Sequence, residues 1–278
     1  MQRVISNNDM NVAGEGSPVL DSVTQTFLHK AFQVLRSTDA IAITGSCIVA
    51  LTLQNQHRSS FLPGDIDMFV KQNLRLDGQI FDRYFLESRI LRPLLEQEDI
   101  HWEPQDIQLK QGLFPKLKQY RKTKLNIVQI IEICLFGRND NSTVNRPKIQ
   151  IIVVEDYSPI LPKHSHPYLT TFERKIITSF DLDIVQGVYN PNNGNIEFAR
   201  RSTKRNILKM EFWYICDSER PFDLRSVIQR IDKYITRGFV FKGFKHILFP
   251  GIKIEVSRFT LQNLKLLVPR PEINMEED

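Results

Sequence analysis

Two carboxylates separated by one residue, Asp65 and Asp67, lie within the apolar stretch GDIDMFV. Because successive side chains of a strand point to opposite faces, a strand here places both aspartates on one face and Ile66 and Met68 on the other. Two close carboxylates repel each other, which opposes ionisation of both. Mg²⁺ removes that cost, since it binds one or two carboxylates together with phosphate oxygens of a substrate. The pair predicts a Mg²⁺ or Mn²⁺ site that holds a nucleoside triphosphate, or, alternatively, a strand end that meets solvent after a turn.

Upstream of this pair, Gly45 and Ser46 lie where a predicted strand turns into a helix that extends to about Gln54. Glycine lets the backbone come close to a ligand. A helix N-terminus offers free N–H groups and a positive dipole end to a phosphate, and Ser46 adds a hydroxyl. We therefore predict that Gly45 and Ser46 cradle the phosphates of a nucleotide.

A second pair of carboxylates, Asp181 and Asp183, lies in FDLDIVQ, within a strand predicted over 180–189. Strand periodicity places both on one face, opposite Phe180 and Leu182. These aspartates are candidate metal ligands or acid–base groups. A structural hydrogen-bonding role at a strand end is the alternative.

The elements that must position these residues follow from hydrophobic periodicity. Strands alternate with helices first, and a helical, basic part follows, which indicates an α/β or α+β fold. We predict a flexible N-terminal lead over 1–20, a sheet domain over 21–199 and a basic, mainly helical part over 200–278. The predicted helices cover 21–36, 46–54, 78–97, 170–179, 200–216 and 223–238, and the predicted strands cover 40–44, 65–70, 125–136, 148–154, 180–189 and 195–199.

Composition limits the class of protein. The chain has 278 residues, of which 41% are hydrophobic and 25% charged, as in ordinary globular domains. It has no apolar run long enough to cross a membrane, and its N-terminus lacks the apolar core of a signal peptide. The three cysteines are scattered, which favours a reducing, cytoplasmic location and is compatible with a host nucleus. Residues 200–278 carry a net charge of +6, typical of surfaces that bind the phosphates of a nucleotide or nucleic acid.

The stretch TGSCIVALTLQ, followed by GDIDMFV, resembles the nucleotidyltransferase fold of the DNA polymerase β type. That family opens a helix with an apolar residue, Gly and Gly or Ser, and carries two acids separated by one residue on the next strand. A third carboxylate lies on a later strand. The segments PKIQIIVV and FERKIITSFDLDIVQGVYN are similar to a divergent branch found in virus and phage proteins. The resemblance covers about residues 38–200 and implies a mixed sheet flanked by helices.

The resemblance also implies a reaction, the Mg²⁺-dependent transfer of a nucleoside monophosphate from an NTP to a hydroxyl by two-metal catalysis. Asp65 and Asp67 would hold the metals. Asp181 would be the third carboxylate and activate the acceptor, since the branch carries an acid directly after that Phe, and Asp183 would be the reserve ligand. The acceptor would be a nucleic-acid 3′ end, a small molecule or a protein side chain.

Basic residues at the start of the C-terminal part would meet the triphosphate in the resembling fold. These are Arg200, Arg201 and Lys204, for which a solvated helix face is the alternative. The strand at 148–154 places Gln150 near the position expected for the third carboxylate, and glutamine is a poor Mg²⁺ ligand. The rival hypothesis is therefore an inactive relative that binds nucleotide or nucleic acid, or a viral structural or partner-binding protein.

Overall fold

The computed structural model describes a part of the chain that contains both carboxylate pairs. Residues 1–18 of the predicted N-terminal lead, most of the helix predicted over 78–97 and the tail after Ile247 lie outside the described residues. Val19 and Leu20, the last two residues of that lead, are buried in the core. The described residues are 19–36, 41–58, 61–71, 75–76, 79–80, 84, 88–89, 92, 100–103, 125–137, 146–155, 169–217 and 224–247.

Helices and strands alternate along the described chain. The helices are α1 (Ser22–Arg36), α2 (Ser46–Gln54), α3 (Thr171–Thr178), α4 (Arg201–Leu208) and α5 (Leu224–Thr236), with a 3₁₀ turn at Asp183–Val185. The strands are β1 (Ile41–Thr44), β2 (Asp65–Lys71), β3 (Arg75–Leu76), β4 (Gln79–Ile80), β5 (Ile100–Glu103), β6 (Asn126–Gly137), β7 (Lys148–Glu155), β8 (Gly187–Asn190), β9 (Asn195–Phe198), β10 (Glu211–Asp217) and β11 (Val240–Ile247).

The main sheet has the strand order β5-β6-β7-β2-β1-β8-β9. Neighbouring strands in it are antiparallel, except that β2 and β7 run parallel. This mixed, mostly antiparallel sheet flanked by helices confirms the α+β class. None of the described helices is long and apolar enough to cross a membrane.

One face of the sheet packs against α1 and α2. Alternate side chains of β2 and β7 point into this core, as the period of a strand requires. It contains Phe27 and Leu35 of α1, Ile48 of α2, and Ile66 and Ile151 of the sheet. Burial of these side chains fixes the register of β2, since a shift by one residue would move both aspartates into the core.

The opposite face of the sheet packs against α3 at one end and is polar at the other. Phe69 of β2 and Ile152 of β7 meet Phe172 and Ile176 of α3. A capping box at Thr170 and Glu173 starts α3. Asp65 and Asp67 precede Phe69 on this same face, so the carboxylate pair lies at the polar end.

The C-terminal part adds a third layer, in which β10 and β11 pair in parallel and α5 connects them. Its core unites Ile231 and Tyr234 of α5 with Phe212 of β10 and with Val49 and Leu53 of α2. This layer packs on α2 and so brings α5 to the helix that follows Gly45.

Three sequence predictions were wrong in detail. The helix predicted over 200–216 ends at Leu208, because Met210 has a positive φ of 55° and the aromatic run after it forms β10. The strand predicted over 180–189 contains the 3₁₀ turn, and only Gly187–Asn190 is regular strand. The helix predicted from residue 78 does not include Gln79–Ile80, which pairs with Arg75–Leu76 as a short hairpin.

Candidate functional site

Asp65 and Asp67 begin β2 and project from the same face, as predicted. Both are partly buried, whereas Ile66 and Met68 between and after them are fully buried. The register places Asp67 opposite Gln150 on β7. The two carboxylates therefore lie between the polar end of the sheet and the turn that starts α2.

Gly45 brings the backbone of that turn against Asp67. Its φ is +90°, and a Cβ added there would overlap Oδ2 of Asp67 and lie 3.1 Å from its Cγ. A side chain at residue 45 is thus excluded both by backbone conformation and by space. The glycine allows the N-terminus of α2 to lie directly beside a carboxylate.

Ser46, the first residue of α2, is 7% exposed, and its Oγ has no hydrogen-bond partner among the described residues. The N-cap of α2 makes no side-chain hydrogen bond, and its first turn has no acidic residue. Buried hydroxyls without a partner are rare in folded proteins and indicate an absent ligand, water or ion. A buried, unpartnered hydroxyl at the N-terminus of α2 is compatible with the phosphate-binding role of Ser46, which stays a prediction.

The pair is electrostatically strained in the absence of a cation. Burial, and after it the charge of the nearby Asp65, raise the pKa of Asp67 to about 7, while the charge of Lys233 of α5 acts in the opposite direction. Burial, followed by the charges of Asp67 and Asp65, also raises the pKa of the Cys47 thiol in the first turn of α2. Cys47 is therefore a neutral thiol, and the negative charge at the site belongs to the aspartates.

Helix α5 contributes cations that the sequence reasoning did not select. Lys233 acts on Asp67, and just after the helix Arg237 interacts electrostatically with Asp65. The Arg237 guanidinium lies 3.9 Å from the centroid of the Phe61 ring. Its Nη1 atom is buried without a hydrogen-bond partner among the described residues, and burial lowers its pKa. The signal was present in the sequence, because residues three to four apart share a helix face.

Glu132 of β6 is a further carboxylate that sequence reasoning missed. The register aligns Glu132 with Gln150 and Gln150 with Asp67, and Nε2 of Gln150 donates to Oε1 of Glu132 at 3.0 Å. Paired residues project from the same face of a sheet, so a polar row crosses three strands. The isolated acid in NIVQIIEICLF was the available signal, but only the strand order shows that it neighbours Gln150.

Asp181 and Asp183 have other partners. Asp181 is buried and forms an ion pair of 2.5 Å with Arg230 of α5. Asp183 accepts hydrogen bonds from Asn206 Nδ2 at 2.7 Å and from the backbone N–H of Trp213 at 2.8 Å. Both carboxylates thus fasten the C-terminal layer to the 3₁₀ turn, which is the structural alternative considered above.

The described residues contain no group of three or more His, Cys, Asp or Glu side chains placed to hold a metal ion. Asp65 and Asp67 are accordingly the carboxylates available for a cation at this site. Two are sufficient for Mg²⁺, provided that a bound phosphate supplies further oxygens. The unpartnered hydroxyl of Ser46 and the mutual repulsion of the pair fit such a ligand.

Arg200, Arg201 and Lys204, predicted to contact the triphosphate, are exposed side chains at the start of α4. The cations that act on the aspartates are instead Lys233 and Arg237.

Comparisons with protein-family models, with curated proteins and with solved structures found no match to this chain. The resemblance to the nucleotidyltransferase fold therefore remains a prediction from the two motifs.

Proposed function

We propose that the chain is a Mg²⁺-dependent nucleotidyltransferase that moves a nucleoside monophosphate from an NTP to a hydroxyl acceptor. The observation that carries the proposal is the contact of the Gly45 turn with Asp67, beside the unpartnered hydroxyl of Ser46. A carboxylate that holds a cation and a helix N-terminus that binds phosphate are complementary to one ligand, a metal–triphosphate.

The phosphate side of the site combines donors from two elements. Ser46 offers a buried hydroxyl at the N-terminus of α2, and Arg237 offers a buried N–H without a partner. Lys233 is an exposed ammonium beside Asp67. Buried donors without partners are costly, and a triphosphate would satisfy them with acceptor oxygens. The proposal therefore assigns the phosphate contacts to Ser46, Lys233 and Arg237, whereas the sequence had predicted them at the start of α4.

The carboxylate side of the site divides the chemical work. Asp65 and Asp67 would hold the cation, which supplies charge neutralisation of the reacting and leaving oxygens. Glu132, oriented by the amide of Gln150, is the partly exposed carboxylate that we assign to accept the proton of the attacking hydroxyl. Asp181 is not used in this assignment, because Arg230 occupies its carboxylate.

Nucleotide binding without transfer is the second candidate, and one observation favours it. Gln150 occupies the register position opposite Asp67, on β7, which runs parallel to β2. A neutral amide there leaves the cation with two carboxylates from the described chain. If Glu132 does not act as a base, the site would bind a nucleotide and hold it unreacted.

The test is transfer of label from NTPs labelled in the α-phosphate, with Mg²⁺ or Mn²⁺, to RNA, DNA and protein acceptors. We expect transfer by the wild type and its loss in Asp65→Ala/Asp67→Ala. Glu132→Gln is expected to lower the rate by at least ~100-fold while NTP binding is kept, since general bases contribute about that factor. Gln150→Glu in the Glu132→Gln background should restore part of the rate, because it returns a carboxylate to the row.

Glu197→Gln is the matched control for Glu132→Gln. Glu197 is a partly exposed carboxylate of β9, which is separated from β2 by the two strands β1 and β8. Its loss should leave the rate unchanged. If no acceptor becomes labelled but NTP still binds in a cation-dependent way, the transferase hypothesis is rejected and nucleotide binding without transfer is supported.

A further inference from the structure

The exposed face of α4 is densely cationic. Between Ala199 and Met210 the sequence has five Lys or Arg and no Asp or Glu. All five cations are exposed, while Thr203, Asn206 and Ile207 face the interior. The exposed cations are Arg200, Arg201, Lys204, Arg205 and Lys209.

This arrangement works against the helix itself. Arg200 is the N-cap of α4 and Arg201 its first residue, where the positive end of the helix dipole disfavours cations. Like charges four residues apart also repel each other, as in Arg200 with Lys204, and Arg201 with Arg205. A surface face that serves only solubility mixes both signs of charge. An anion bound along this face would offset the local cost.

The interior of the molecule holds α4 in a fixed orientation. Asn206 donates to Asp183 Oδ2 at 2.7 Å, and Ile207 lies in the core shared with α2 and β10. At the other end, an Nη1 atom of Arg58 donates to the carbonyl of Leu208. The cations are thus presented on a rigid helix that packs against α2, the helix that begins at Ser46.

We propose that the exposed face of α4 binds the phosphate backbone of a nucleic acid strand. Repeated phosphates are the anions that match successive cations along a helix, and the guanidinium groups of Arg200, Arg201 and Arg205 suit them by their fork geometry. The exposed positions between 200 and 210 are all Arg or Lys, without the large apolar side chains that insert an interfacial helix into a lipid surface. The inference rests on the proposed function in one respect: the bound strand would be the hydroxyl acceptor.

The test is fluorescence anisotropy of the full chain with a labelled single-stranded RNA or DNA oligonucleotide at several salt concentrations. If all five cations meet phosphates, the affinity should fall by about 100-fold between ~50 and ~200 mM salt. Lys204→Gln/Arg205→Gln should weaken binding at least ~10-fold at low salt and reduce the salt slope by about 1.4, the value for two lost contacts to a single strand.

Lys30→Gln/Lys175→Gln is the matched control, because it removes the same charge from α1 and α3. It should change the affinity less than about 2-fold, since only non-local charge is altered. Equal weakening by both double variants would overturn the inference, as binding would then follow net charge. Tighter binding to vesicles of anionic lipid than to the oligonucleotide would also overturn it.

Asp65→Asn/Asp67→Asn separates this inference from the proposed function. The variant should bind the oligonucleotide with the affinity of the wild type, because α4 keeps its cations. Retained α4-dependent binding without label transfer in the wild type would reject the transferase and support the nucleic-acid face. Transfer to small molecules or protein, with no oligonucleotide bound, would reject the face and keep the transferase.

Discussion

Asp67→Asn is predicted to stabilise the metal-free protein above neutral pH. Burial and the neighbouring Asp65 raise the pKa of Asp67 from 3.8 to about 7. The folded protein must therefore hold a carboxylate whose ionised form is unfavourable there. Asparagine keeps nearly the same shape and removes the charge, so the variant does not bear this cost.

The sign of the effect follows from proton linkage. Between about pH 4 and pH 7 the folded state binds more protons at Asp67 than the unfolded state, so the free energy of unfolding of the wild type falls as pH rises. Below about pH 4 both states are protonated, and the stabilisation from the raised pKa is complete. Above about pH 8 that stabilisation is lost.

The magnitude follows from the size of the pKa change. A rise from 3.8 to about 7 corresponds to ~4 kcal/mol, at 1.36 kcal/mol per unit. Because Asp67 is partly exposed and water can relax around it, we expect ~2–4 kcal/mol. Near pH 4 the variant and the wild type should be equally stable to within ~0.5 kcal/mol.

The assay is urea unfolding followed by circular dichroism, in the presence of a chelator, at about pH 4 and about pH 9. Glu197→Gln serves as the charge-matched control and should change the free energy of unfolding by less than ~0.5 kcal/mol at either pH. An asparagine variant no more stable than the wild type at the higher pH would refute the placement of Asp67 in a desolvated, negatively charged site. An equal gain at both pH values would refute the electrostatic cause.

Three further predictions concern the surroundings of the site. Gly45→Ala should cost ~2–4 kcal/mol, from strain at positive φ and overlap with the adjacent carboxylate, whereas Gly194→Ala, at φ +70° with open space, should cost about 1 kcal/mol in the same urea assay. Asp183→Ala should cost ~3 kcal/mol, since it leaves two donors of α4 and β10 without their acceptor, and a loss below ~1 kcal/mol would contradict its structural role. Lys204→Gln/Arg205→Gln should relieve repulsion between like charges, which raises the free energy of unfolding by ~0.5 kcal/mol and the melting temperature slightly. A lower melting temperature would argue against that repulsion.

Local periodicity predicted the elements that place the first carboxylate pair. The strand at Asp65, the turn at Gly45 and the helix from Ser46 all follow from short sequence patterns, and the structure has them at nearly those bounds. The strand follows from the alternation of polar and apolar residues, and the turn follows from a glycine, which allows the backbone to approach a neighbouring group closely. The sequence alone was therefore sufficient for this half of the site.

The other half depends on tertiary packing that no local pattern encodes. Glu132 becomes a neighbour of Gln150 only through the strand order, and Arg237 reaches Asp65 only because α5 packs beside α2. Asp181 was selected from its resemblance to a motif, but Arg230 lies more than forty residues away in sequence and pairs with it in the fold. The strand predicted over 180–189 from its alternating polar and apolar residues was wrong in part, because the 3₁₀ turn interrupts the two-residue period.

The most direct test of the central claim is calorimetric titration of a non-hydrolysable NTP analogue with Mg²⁺, or with a chelator in its place. The account predicts that Mg²⁺ strengthens binding to the wild type at least ~10-fold, and that Asp65→Asn/Asp67→Asn, which keeps Ser46 and Arg237, binds the analogue with no dependence on Mg²⁺. Equal affinity of the wild type with and without Mg²⁺, or the same Mg²⁺ dependence in the variant, would contradict the claim that these two carboxylates bind a metal–triphosphate.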